Sequence, residues 1–223
     1  MSQADNSPRI RRAPLVWAAS GIAALVLTLG VNGTLSSWTQ AVLNNSTNSA
    51  STGQAVILRE ALGTTTCVSS DTASNTSTCS TINKYGGTAT PLTPGTNQTV
   101  TVTFTNVGAA NAATFSLAPG ACSQTPAAGS GTPAAANLCT SGDLTVAASC
   151  SPGSTYAAAN AWTDLAYAAA APPTANKSHA AAGGDLNAGS SFTCQFTVAL
   201  ASGAGVATQG ITVSQPLSWT LSE

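Results

Sequence analysis

Cysteine is the residue type with the most chemistry to offer in this chain. Cys67, Cys79, Cys122, Cys139, Cys150 and Cys194 include no C-x-x-C pair and have no histidine close by. Thiolate metal sites need such spacing, so ligation is the weaker reading and disulfide formation the stronger. The chain has a single histidine, His179, which excludes an H-E-x-x-H zinc site on ligand count. A Ser-His-Asp triad would have to use this residue. It sits in PPTANKSHAAAGG, a stretch with no strand alternation, where an exposed loop position is expected. G-x-S-x-G is absent, and neither Gly129-Ser130-Gly131 nor Gly203-Ala204-Gly205 is followed by the Lys-Ser/Thr of a phosphate cradle. Asp143, Asp164 and Asp185 are far apart in the chain and show no pairing signal. Tyr156, Trp162 and Tyr167 offer either an aromatic platform for sugar or core residues. The expectation is a protein with no catalytic residue, no metal and no cofactor.

Charge narrows the partners. Only 6% of the 223 residues are charged and the net charge is −1, against about 25% charged in an ordinary soluble domain. Nucleic-acid binding needs clustered cations against phosphates, so no nucleic-acid partner is expected.

The N-terminus carries an export pattern. Arg9, Arg11 and Arg12 precede 15–31, an uncharged apolar run, LVWAASGIAALVLTLGV. A basic segment followed by such a run reads as a signal helix. The run is near the lower limit for a span, so a retained membrane anchor is the alternative to cleavage. Thr34-Leu35-Ser36 supplies small residues before a cut between Ser36 and Ser37. Signal peptidase is then a partner during export, and the membrane is met only through an uncleaved N-terminus. The mature chain keeps Arg59, Lys84 and Lys177 against Glu60, Asp71, Asp143, Asp164, Asp185 and Glu223, so it is mildly acidic. An even number of cysteines in an exported chain implies a disulfide framework.

Strict alternation of apolar and polar residues marks half-buried strands. It occurs at 98–106 (Val100, Val102, Phe104 on one face), 144–150 (Leu144, Val146, Ala148, Cys150) and 191–200 (Phe192, Cys194, Phe196, Val198, Leu200). A further set, 211–221, is interrupted by Gln215 and Pro216; proline suits an edge or a bulge because it has no N–H. Shorter candidates are 53–59 and 114–117. Turn dipeptides such as Pro94-Gly95, Pro119-Gly120 and Pro152-Gly153 stand between them. The expected fold is mainly β, a jelly-roll-like or Ig-like β-sandwich, preceded by the signal helix. One stretch departs: 154–171 contains YAAANAWTDLAYAAAA. Alanine is the best helix former and Pro172-Pro173 would stop a helix, so a short Ala-rich helical insertion is expected, with a flexible loop as the alternative.

Parity also orders the cysteines. Cys150 and Cys194 each fall on the apolar face of their own strand, while Cys67/Cys79 and Cys122/Cys139 bracket polar, coreless loops. Pairing in sequence order is expected among the fifteen arrangements that six cysteines allow.

Two segments resemble a bacterial family. GTLSSWTQAVLNNSTNSASTGQAVILRE, 33–60, carries Gly33-Thr34 near the end of the signal, an aromatic at Trp38, a polar stretch and the short strand Gly53-Gln54-Ala55-Val56-Ile57-Leu58. LTPGTNQTVTVTFTNVGAANAATFSLA, 92–118, carries Leu92, Pro94 and Gly95 in a turn, then Phe104, and Asn106 and Gly108 in a second turn. In this order and position they resemble the TasA/camelysin family, secreted proteins with a SipW-type signal peptide. The resemblance implies a jelly-roll-like sandwich that self-associates into extracellular fibres on the cell surface or in the biofilm matrix. It also implies that each subunit's N-terminal segment completes a neighbour's sheet.

The residues of that segment allow it. Within 37–52, Trp38 and Val42 lie four apart, hence on one face of an extended strand, with Leu43 beside them; a free strand of this kind can add to a sheet edge. Packing back onto its own domain and disorder are the alternatives. The organisation expected is 1–36 as signal or anchor, 37–52 as donor or linker, and 53–223 as the disulfide-stapled sandwich. The leading function is a secreted structural, pilin-like fibre subunit. A monomeric secreted binding module or adhesin is the second reading, and a secreted enzyme the third.

Overall fold

Alternating apolar residues become the inward rows of three antiparallel sheets in the computed structural model, which describes residues 55–223. The strands are β1 (Leu58–Leu62), β2 (Thr65–Val68), β3 (Asn97–Asn106), β4 (Thr114–Pro119), β5 (Ser123–Thr125), β6 (Leu144–Pro152), β7 (Tyr167–Ala170), β8 (Lys177–Ala180), β9 (Ser191–Leu200), β10 (Thr212–Ser214) and β11 (Leu217–Ser222). Six of them form one sheet in the order β2-β1-β3-β9-β6-β7. Opposite lies β11-β4-β8, and β10 pairs with β5 in a two-stranded ribbon. The architecture is a mainly β sandwich. The signal segment 1–36, the cut at Ser36 and Ser37, and the donor candidates Trp38, Val42 and Leu43 lie outside the described residues. Among those described, no helix is long and apolar enough to cross a membrane.

Aromatic rings join the two layers. Phe104 and Phe192, directly opposite each other on β3 and β9, meet Phe115 of β4 at ring-centroid distances of 5.3 and 4.4 Å. Trp219 of β11 stacks on Phe115 at 5.3 Å and reaches Phe104 at 4.8 Å. Such tilted and offset pairs contribute beyond the area they bury. On the outward face of β3 and β9, the Thr99 and Thr197 hydroxyls lie 3.3 Å apart across the strands.

Three disulfides close, Cys67–Cys79, Cys122–Cys139 and Cys150–Cys194, pairing neighbours in sequence order. Cys150 and Cys194 are direct partners in the β6–β9 register, both buried, with Cα atoms 3.9 Å apart. Three such bonds fit an oxidising compartment.

The helical insertion expected at 154–171 is not there. The segment makes a 3-10 turn at Ala158–Asn160 and then the edge strand β7. Its backbone is tied to β6 instead: Trp162 N–H donates to the Cys150 carbonyl at 2.7 Å, and Ala157 N–H to Ser151 Oγ at 2.9 Å. Helix propensity amounts to tenths of a kcal/mol per residue. Burying Trp162, Leu165 and Tyr167 is worth about 1.5–3 kcal/mol for each large apolar side chain, and the extended path allows all three. Trp162 and Tyr167 are thus core residues, and Tyr156 spends its hydroxyl on Ser149 Oγ at 2.6 Å; they form no exposed aromatic platform.

The strand expected at 53–59 is shifted along the chain. Residues 53 and 54 lie outside the described residues; among those described, pairing runs from Leu58 to Leu62, because 55–57 packs instead against the turn after β3. Val107 N–H donates to the Ile57 carbonyl at 2.8 Å, and Asn75 Nδ2 to the Val56 carbonyl at 2.9 Å. Gly108 faces the Ala55 carbonyl so closely that a Cβ there would overlap it.

Candidate functional site

Two places gather side chains beyond what the core requires: an uncharged groove at one end of the sandwich and a cluster of carboxylates around His179.

Leu144 and Leu200, opposite each other on β6 and β9, and their neighbour Val198 form the groove's floor. Ile211 and Val213, at β10, make one wall; Tyr85 and Leu92 make the other. The cavity measures about 530 Å³, and no charged side chain lines it. That volume lies in the range of pockets that enclose a small ligand.

Two glutamines hold the walls in place. β10 and β11 are one run of chain bent at Gln215-Pro216, as are β4 and β5 at Gly120–Cys122. The bend swings the β10–β5 ribbon over the end of the six-stranded sheet. Gln215 Nε2 donates to the Gly120 carbonyl at 2.8 Å and to the Pro173 carbonyl at 2.7 Å, while its Oε1 accepts from the Tyr85 hydroxyl. Gln98 Nε2 donates to the Tyr85 carbonyl at 2.8 Å. Gly86, at φ +82°, leaves room for that amide, which a Cβ would displace. Burial of Tyr85 pushes its phenol well above the ordinary range.

The groove and the chain's entry point lie at opposite ends of β3. Gln98, at the strand's start, lines the groove, whereas Asn106, at its end, pairs with Leu58. The eight residue steps from Gln98 to Asn106 span about 27 Å.

His179 departs from its expected place. It is not an exposed loop residue: it sits on β8, directly opposite Phe115 of β4, and is 6% exposed. Its Nδ1 lies 3.0 Å from both Asp164 carboxylate oxygens and its Nε2 2.9 Å from Asp185 Oδ2. Asp185 is itself buried, with Oδ1 accepting the Ala182 N–H at 2.9 Å. Both ring nitrogens therefore face a carboxylate oxygen. The sequence showed no sign of this meeting of Asp164 and Asp185. Lys-Ser-His-Ala has no apolar alternation to mark β8 as a strand, and the carboxylates arrive from loops on either side of it. Neither ring nitrogen is left to face a serine hydroxyl, so the geometry builds a clamp and not a catalytic triad. Asp143 is not part of it.

Among the described residues, no cluster of His, Cys, Asp and Glu is arranged to hold a metal ion. No protein-family model matches this chain, and no curated protein resembles it significantly.

Proposed function

We propose that this protein is a secreted structural subunit of extracellular fibres, on the cell surface or in a biofilm matrix, assembled head to tail by N-terminal strand donation. The mature chain would begin at Ser37, and the sandwich would be of the jelly-roll or Ig-like kind. The observation that carries this reading is the placement of an uncharged groove with an aliphatic floor at the end of the sandwich opposite the start of the described residues. A segment leaving one end and a receptor at the other define a heterologous contact, which builds open filaments when its rotation does not close.

The occupant is residues 37–52 of a second copy. Fully extended, that length of chain reaches at most ~55 Å, enough to leave one subunit and line the groove of the next. Trp38, Val42 and Leu43 are its only large apolar side chains, matching a groove that offers leucine, isoleucine and valine. Ordering the donated residues costs about 1–2 kcal/mol each, so binding depends on the burial of Trp38.

Two variants test this by complementation. Trp38→Ser removes the donor's anchor but leaves a groove, and Val213→Lys puts a charge in the groove but leaves a donor. Each alone should be a folded monomer where the unaltered mature protein polymerises. Mixed, they should form dimers and nothing longer, read by light scattering after size exclusion. No dimer on mixing, or normal fibres from Trp38→Ser, would overturn donation. An unaltered mature protein that stays monomeric at high concentration would put the binding module or adhesin in its place.

A further inference from the structure

Glu60 and Lys84 form an ion pair inside the sandwich, 6% and 9% exposed. Glu60 is opposite Phe104 in the β1–β3 register, so its side chain shares the inward row of the aromatic core. Lys84 follows the core residue Ile82 in the stretch 72–96, which contains no strand. The lysine Nζ touches Glu60 Oε1 directly, and its other acceptor is the Ile82 carbonyl at 3.4 Å. Oε1 has no hydrogen-bond partner beyond the lysine.

A buried ion pair offsets its desolvation only when further hydrogen bonds satisfy the remaining lone pairs and protons. Among the described residues, Lys84 Nζ has one such bond, to the Ile82 carbonyl, and Glu60 Oε1 has none. Burial is the largest influence on the Glu60 carboxyl and pushes it up, against the pull of Lys84. The neutral acid at Glu60 is therefore less disfavoured than it would be in water. A carboxyl and an amine in contact are the two reactants of an amide.

We infer that Lys84 Nζ and Glu60 Cδ join in an intramolecular amide bond, tying β1 to the stretch that follows β2. A proton passes from the ammonium to the carboxylate. The amine lone pair then attacks Cδ, and one carboxyl oxygen departs with two of the original ammonium protons as water. The third proton stays on the amide nitrogen, with the Ile82 carbonyl already placed to accept it. Nothing is oxidised or reduced, and no co-reactant enters. The product is neutral, which removes two charges from the core. It also lies beside an existing tie: Cys67, opposite Glu60 on β2, is bonded to Cys79 in the same stretch as Lys84.

Trypsin reads the bond directly, since the described chain offers it only Arg59, Lys84 and Lys177. The exported full-length product is reduced, alkylated, unfolded and digested. With the amide, cleavage after Lys84 is blocked, and the peptide 60–177 is recovered lighter by one water. Fragmentation spectra should place the missing water at the Glu60–Lys84 branch. Recovery of peptide 60–84 at its full mass, or a water lost at Asp71 instead, would overturn the inference. Lys84→Arg keeps the charge and the tryptic site but gives no amide, so 60–84 should return at full mass. If that variant fails to fold, the unaltered protein's digest decides alone.

Discussion

Trp162 lies flat on the His179 imidazole, ring centroids 3.8 Å apart and planes 8° from parallel. The indole continues into the core, meeting Phe192 at 5.2 Å and Phe115 at 6.5 Å. A ring held between two carboxylates is thereby stacked against the aromatic cluster that joins the sheets. Three separate stretches of chain meet at this one side chain.

The two carboxylates at that clamp are expected to differ in weight. Asp185 has 8% of its side chain exposed and Asp164 46%. Asp185→Ala leaves the buried ring short of a partner and should cost about 3–5 kcal/mol in urea unfolding, as breaking a buried pair does. Asp164→Ala, facing solvent, should cost no more than about 1 kcal/mol. Equal losses would contradict the burial difference.

The disulfides should rank by the loop each closes. Cys150–Cys194 spans 44 residues, Cys122–Cys139 17 and Cys67–Cys79 12. Chain-entropy reasoning gives about 4 kcal/mol for the first and about 3 kcal/mol for each of the others. Paired Cys→Ala variants, compared by denaturant midpoint, should follow that order. The first should lose still more, because it also opens a cavity between β6 and β9.

Tyr85 should make the groove sensitive to alkali. Burial raises its phenol above the ordinary value, so the folded state holds that proton more tightly than the unfolded state. Stability is then full below the unfolded value, about pH 10, and falls as pH rises above it. Tyr85→Phe should lose about 0.5–1.5 kcal/mol at neutral pH through the bond to Gln215. Its unfolding curve should show a shallower decline above pH 10.

Gly108→Ala should detach the segment before β1. A Cβ there meets the Ala55 carbonyl and the Ile57 backbone nitrogen. Hydrogen exchange at the Val107 amide, which donates to Ile57, should accelerate, while amides in the centre of β9 stay protected.

N-terminal sequencing of the exported protein should find Ser37 first. Retention of Arg9, Arg11 and Arg12 would favour a membrane anchor over cleavage.

Local pattern alone determined β3, β6 and β9, because a two-residue period of apolar side chains forces one face inward whatever the partner strand. It determined the break at Gln215-Pro216, since proline cannot continue a ladder, and it favoured the in-order cysteine pairs, two of which close short polar loops. Tertiary structure decided the remainder. The 154–171 stretch has helical residues, yet it runs extended because Trp162, Leu165 and Tyr167 gain more from the core than alanines gain from a helix. β8 and its histidine carry no period at all. His179 is inward only because β8 pairs with β4 and sets the ring opposite Phe115, and two aspartates from separate loops then make its burial tolerable. The groove likewise has no signature in the chain. It exists because the bend at Gln215 carries Ile211 and Val213 over Leu144 and Val198, residues brought together by folding and not by their spacing.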